Sequence, residues 1–136
     1  MYKRVLGLAL AMTNATLRGD VRAHRAALRE LRDYHGEHDA EGGAHPFLSE
    51  TLADYTPSRA AAVKLYHRAL RLSRRMGEPQ HTILLSLGKL YLDAGNVQAA
   101  RRNLRAAHRE AVRVRDRELS AEARELLEKV HARSTA

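Results

Sequence analysis

Two stretches 76 residues apart carry the same punctuation, and this constrains the chain more than any other feature. Gly19-Asp20-Val21-Arg22-Ala23-His24-Arg25-Ala26-Ala27-Leu28 and Gly95-Asn96-Val97-Gln98-Ala99-Ala100-Arg101-Arg102-Asn103-Leu104 match in glycine, valine, alanine and leucine. The offset is twice 38, so a middle copy is expected half-way. There, Ala62, Tyr66 and Ala69 fall between His24, Leu28 and Leu31 on one side and Ala100, Leu104 and Ala107 on the other. At the glycine position the middle copy has Pro57, inside Thr56-Pro57-Ser58, which is another helix-start signal. A fixed period in the range of roughly 20–50 residues is the signature of stacked repeats, each unable to bury its apolar face alone.

Every copy has a second helix upstream. In the third copy Leu84, Leu87, Gly88 and Tyr91 recur at helical spacing. The matched positions of the first copy are Leu8, Ala11, Met12 and Ala15. In the middle copy the apolar set slips by two, to Leu48, Leu52 and Tyr55, which predicts a shorter turn. The layout expected is helices near 4–17, 20–35, 46–55, 58–76, 80–94, 96–115 and 119–132. Gly19 and Gly95 fall at tight turns, Gly77 at a helix end, and Pro79 suits a first turn. The last helix sets Leu119, Ala123, Leu126, Leu127 and Val130 against Glu122, Arg124, Glu125, Glu128 and Lys129, as a terminal cap requires.

The N-terminus admits two readings. Lys3-Arg4 followed by an apolar stretch from Val5 to Met12 has the form of a short signal peptide. Its register with the third copy favours the other reading, an amphipathic first helix. No apolar run approaches the ~20 residues needed to cross a bilayer. Cysteine is absent, which excludes a disulfide scaffold, a thiolate metal site and a cysteine nucleophile. It is compatible with a reducing compartment, and the expected location is cytoplasmic.

The spacing of Leu84, Leu87, Gly88, Tyr91, Gly95, Ala100, Leu104 and Ala107 resembles the tetratricopeptide repeat (TPR) motif. The resemblance extends over three repeats, about 4–36, 45–77 and 80–115, and a capping helix at about 119–132, as one domain over residues 1–136. It implies an all-α fold: a right-handed superhelical array of antiparallel helix pairs, a TPR-like α-solenoid of about seven helices. Departures are His24 where a small residue is usual, Pro57 for glycine, the slipped helix at 46–55, and a period longer than the usual 34 or so.

In this family the first helices of successive repeats line a concave groove. Carried over by position, the resemblance assigns that groove Leu6, Ala9 and Thr13, then Ser49, Glu50 and Ala53, then Leu85, Ser86, Lys89 and Leu92. Some members hold a terminal carboxylate with a Lys, Asn and Arg clamp. Ala9, Thr13, Ala53, Thr82 and Ser86 stand at the matching positions, so that mode is excluded. The ligand implied is another protein or peptide, an apolar helix or an extended hydrophobic segment. The competing reading is that these leucines pack on the chain's own last helix or on a second copy, giving a homo-oligomer. In bacteria, arrays resembling this one serve as secretion chaperones, toxin-neutralising immunity proteins or adaptors.

The net charge is +8, unevenly placed. Residues 33–55 carry a net −6 and residues 58–75 a net +6. Arg68, Arg71, Arg74, Arg75, Arg101 and Arg105 lie on second helices and form a basic outer face. That face suits an acidic protein or, as the alternative function, a nucleic acid. Against the alternative, Tyr2, Tyr34, Phe47, Tyr55, Tyr66 and Tyr91 are partly committed to the core pattern, leaving little to stack on bases.

Three histidines and three carboxylates lie between His35 and His45. Gly36, Gly42 and Gly43 predict a loop there, which cannot preorganise metal ligands, so neither metal nor cofactor is assigned. There is no phosphate-cradling glycine loop, nucleophile elbow or zinc-protease motif, and no enzyme activity is assigned. The expected function is a non-enzymatic protein-interaction module.

Overall fold

The computed structural model describes residues 1–135. Among them are seven helices and no strand: α1 (Tyr2–Arg18), α2 (Val21–Ala40), α3 (Pro46–Tyr55), α4 (Arg59–Met76), α5 (His81–Asp93), α6 (Val97–Arg113) and α7 (Arg117–Thr135). The chain divides into two compact units, Met1–Ala69 and Leu70–Ala136, and α4 runs through the division. No helix of the described residues is long and apolar enough to cross a membrane.

The sequence repeat is a repeat of turns. Gly19 ends α1 at φ 70° and Gly95 follows α5 at φ 79°, both left-handed. The next N–H then reaches back to close the helix: Asp20 to the Ala15 carbonyl at 2.8 Å, Asn96 to the Tyr91 carbonyl at 2.9 Å. The same two side chains cap the following helices. Asp20 accepts from the Ala23 N–H at 3.0 Å and Asn96 from the Ala99 N–H at 3.2 Å. One turn thus satisfies groups orphaned at both helix ends.

A third turn has this geometry without its sequence signature. Between α6 and α7, Arg115 occupies the left-handed position at φ 63°. Asp116 N–H bonds to the Ala111 carbonyl at 2.9 Å, and the Asp116 carboxylate caps Leu119 N–H at 3.0 Å. The middle copy departs at Pro57, as expected. A residue before proline is pushed out of the helical region, and Thr56 is extended at φ −79°, ψ 118°. Ser58 then restarts the chain, accepting from the Ala61 N–H at 3.3 Å.

In the first unit α1 packs on α2, and both contact α3. Val5, Leu8 and Met12 meet Leu28, Leu31, Tyr34, Leu48 and Leu52 in one core. The buried row of α1 is Val5, Leu8, Met12 and Ala15; the expected Ala11 is exposed. In the second unit α5 packs on α6, and α7 packs on both. Helix α5 is leucine-rich and buries Ile83, Leu84, Leu85, Leu87, Gly88 and Leu92. Helix α6 offers alanines, with Ala99, Ala100, Ala107 and Ala111 buried beside Leu104. Gly88 marks the closest approach: a Cβ there would stand 2.5 Å from Leu104 Cδ2. Helix α7 buries Leu119, Ala123 and Val130 and leaves Arg124, Glu125, Glu128 and Lys129 in water. Arg133 Nη1 donates to the Leu92 carbonyl at 2.9 Å, closing an orphan of the α5 end.

Candidate functional site

Helix α1 is apolar on two sides. Its buried row faces the core, which a surface helix needs. A second row, Leu6, Leu10, Thr13 and Leu17, recurs at spacings of four, three and four on the solvent side. Leu6 is 58% exposed, Leu10 60% and Leu17 81%; across the turn, Val21 is 62% exposed. Single exposed leucines are ordinary, but a row of them on one helix is the pattern of a docking surface.

The charges on α1 itself have one sign. Lys3, Arg4 and Arg18 are the only charged residues of α1. Arg4 is drawn to Glu30 at 3.4 Å and lies over the Tyr34 ring, and Arg18 stands 3.9 Å from Asp20. On α2, Arg22, Arg25 and Arg29 line a shallow hollow with Val21 and Ala26. At the other end of α1, Tyr2 is half-tethered: its hydroxyl is 2.9 Å from His45 Nε2, and its ring packs on Phe47.

The groove residues expected from the sequence separate into two groups. Leu6 and Thr13 are exposed on α1, with the Thr13 hydroxyl donating to the Ala9 carbonyl at 3.1 Å. Ser86 and Glu50 are half-buried, and exposed Lys89 is held by Glu122 of α7 at 2.6 Å. Ser49, Ala53, Leu85 and Leu92 are a correction: all four are buried and offer no contact surface. The physical reason is that α3 and α5 are covered on more than one side, so positions next to the core row also face protein. Leu10, Leu17 and Val21 were missed, although the second leucine row of α1 was there to be counted.

The basic face is likewise divided. Arg68 is 2.9 Å from Asp39, with its Nε buried, and is thus an internal partner. Arg101 donates to the Ser134 hydroxyl. Arg71, Arg74, Arg75 and Arg105 are exposed; Arg74 and Arg75 occupy the last turn of α4, where cations favour the helix end.

Residues 36–40 are another correction. They continue α2 as helix to Ala40 instead of forming a loop. Tertiary partners override the glycine. His35 Nε2 shares a hydrogen bond with Ser49 Oγ at 3.0 Å, Asp39 binds Arg68, and His38 packs on the Tyr34 ring. His45 instead caps α3, its Nδ1 accepting from the Phe47 N–H at 3.1 Å. The histidines are drawn to different partners, and no group of three or more ligating side chains among the described residues could hold a metal.

Serine, histidine and aspartate do converge at Ser49, His35 and Asp39, which the sequence did not reveal. The His35 Nδ1 to Asp39 distance of 3.9 Å is too long for a hydrogen bond, and Ser49 is 1% exposed. A nucleophile must reach its substrate, so the arrangement is a buried polar strut between α2 and α3. Burial holds the His35 pKa below its usual value, against the pull of Asp39 in the other direction.

Neither a family model, nor a curated protein, nor a solved structure matches this chain.

Proposed function

We propose that this chain is a non-enzymatic protein-binding module, a short TPR-like repeat array that docks a partner helix on the exposed face of α1. The observation that carries the reading is the second leucine row of α1, exposed while the opposite row is buried. The partner is an amphipathic helix with acidic flanks, because no acid lies on α1 and Arg22, Arg25 and Arg29 border Val21 on α2. Helix-on-helix docking needs just such an i, i+4, i+7 row. The row is already ordered by the core beneath it, so little entropy is lost on binding. Such a module works by occupying its partner, as a chaperone, immunity protein or adaptor would. The right-handed superhelical arrangement belongs to this proposal and is supported by the repeated turns.

The test uses a labelled synthetic helix with leucines at heptad positions and flanking glutamates, followed by fluorescence anisotropy. Binding is expected to the native chain and to an Arg71→Glu/Arg74→Glu/Arg75→Glu variant. Leu10→Asp/Leu17→Asp is expected to remove it. A native chain that ignores the peptide overturns the reading. So does a labelled RNA that binds and is lost only in the arginine variant, which would establish the nucleic-acid function instead. Sedimentation checks the remaining occupant: a dimer abolished by the leucine variant would assign the face to a second copy.

A further inference from the structure

A separate hollow opens on the first unit, away from the leucine row. It measures about 690 Å³ and is lined from α2, from α3 and its following turn, and from α4. Leu52, Pro57, Ala61 and Leu65 make its apolar wall; Arg32 and Lys64 enter it from different helices. Its size is within the range of small-molecule sites, roughly 300–1,000 Å³.

The two cations are what give the hollow a chemical preference. The ion pairs of the first unit, among the described residues, engage Arg4, Arg18, His35 and Arg68. Arg32 and Lys64 take part in none of them, and both are exposed. No acid is among the lining residues, although acids stand close in sequence. Asp39 is held by Arg68, and Asp54 accepts from the Tyr66 hydroxyl at 2.5 Å. His35, also in the wall, turns its Nε2 to Ser49 and therefore adds little polarity. The result is an apolar trough with two uncompensated positive charges.

We infer that this hollow binds a small amphiphilic anion, its charged head between Arg32 and Lys64 and its apolar body along Leu52, Pro57, Ala61 and Leu65. The head is a carboxylate or phosphate, which accepts from a guanidinium and an ammonium together. Apolar walls alone would take an alcohol as readily, and cations alone would take inorganic phosphate. The combination selects molecules that have both parts. The site does not depend on the α1 face, and either can fail without the other.

The probe is decanoate, below its micellar concentration, titrated into the full chain by calorimetry. Octanoate and hexanoate are expected to weaken by about threefold per methylene lost, following the apolar area buried. Decanol and decylamine are expected to bind roughly tenfold or more weaker than decanoate, and decyl phosphate to bind like decanoate. Arg32→Gln/Lys64→Gln is expected to weaken decanoate by roughly tenfold or more, the loss of two charge-assisted contacts. Ala61→Phe, which fills the trough and keeps both charges, is expected to weaken it comparably. Leu10→Asp/Leu17→Asp and Arg71→Gln/Arg74→Gln are expected to leave it unchanged. Circular dichroism confirms that each variant is folded. Decanol binding as well as decanoate, equal affinity in the Arg32/Lys64 variant, or an equal loss in the Arg71/Arg74 variant would each overturn the inference.

Discussion

Arg115 adopts a backbone conformation that costs an ordinary L-residue about 1 kcal/mol, because its Cβ crowds the following carbonyl. The turn retains it because Asp116 satisfies both neighbouring helices. Glycine removes that strain, and Gly19 and Gly95 already serve in matched turns. Arg115→Gly is therefore expected to stabilise the chain slightly, by up to about 0.5 kcal/mol after the larger unfolded-state freedom of glycine is subtracted. Urea denaturation checks it, and a lower midpoint would count against it. Ser73 poses the opposite problem. Its hydroxyl is buried inside α4 with no partner among the described residues. Removing an unsatisfied buried hydroxyl is favourable, and alanine is the better helix former. Ser73→Ala should raise stability by roughly 0.5–1.5 kcal/mol in the same assay, and a loss would reveal a hydrogen bond that the hydroxyl makes in solution.

The helix pairs show what a sequence can and cannot disclose about itself. The turns at Gly19 and Gly95 were legible because left-handed backbone and side-chain caps restrict residue choice, and the restriction recurs 76 residues on. Pro57 was legible for the same reason. Arg115 carried no signal, since arginine is no marker of positive φ. The extension of α2 to Ala40 was hidden because Gly36 argues for a break, while Ser49 and Arg68, which hold the extension, are distant in sequence. The docking site was only partly legible. Neighbouring helical positions differ by about 100° in direction, so Leu85 beside Leu84 could face water or protein, and burial depends on what covers α5. The Gly88 contact gives the sharpest prediction here. Adding a methyl group against fully buried Leu104 must push α5 from α6 or force Leu104 off its rotamer. Alanine's gain in helix propensity, up to ~1 kcal/mol, is outweighed if overpacking costs about 1–3 kcal/mol. Gly88→Ala should lower the thermal midpoint, and Leu104→Ala in addition should recover less than it costs, because it leaves a cavity.

Across the whole molecule, eight histidines and a net charge of +8 make acid the informative perturbation. His35 contributes a specific part of that response. Its folded pKa lies below the ordinary 6.5, because burial disfavours the imidazolium more than Asp39 favours it. Above 6.5 the ring is neutral in both states and adds no pH dependence. As pH falls below 6.5 the unfolded chain takes up a proton that the folded chain refuses, and stability declines. The decline stops only when the folded ring also protonates. His35→Gln isolates the effect: glutamine does not titrate, and its amide can still bond to Ser49. At pH 8 the variant should be less stable than the native chain, through imperfect packing in a buried site. Towards pH 5.5 the gap should narrow, since the native chain alone carries the His35 linkage. Parallel thermal unfolding of the two proteins from pH 8 to pH 5.5 measures this directly. A widening gap would mean that the pull of Asp39 outweighs burial and that folded His35 binds its proton more tightly than the unfolded chain does.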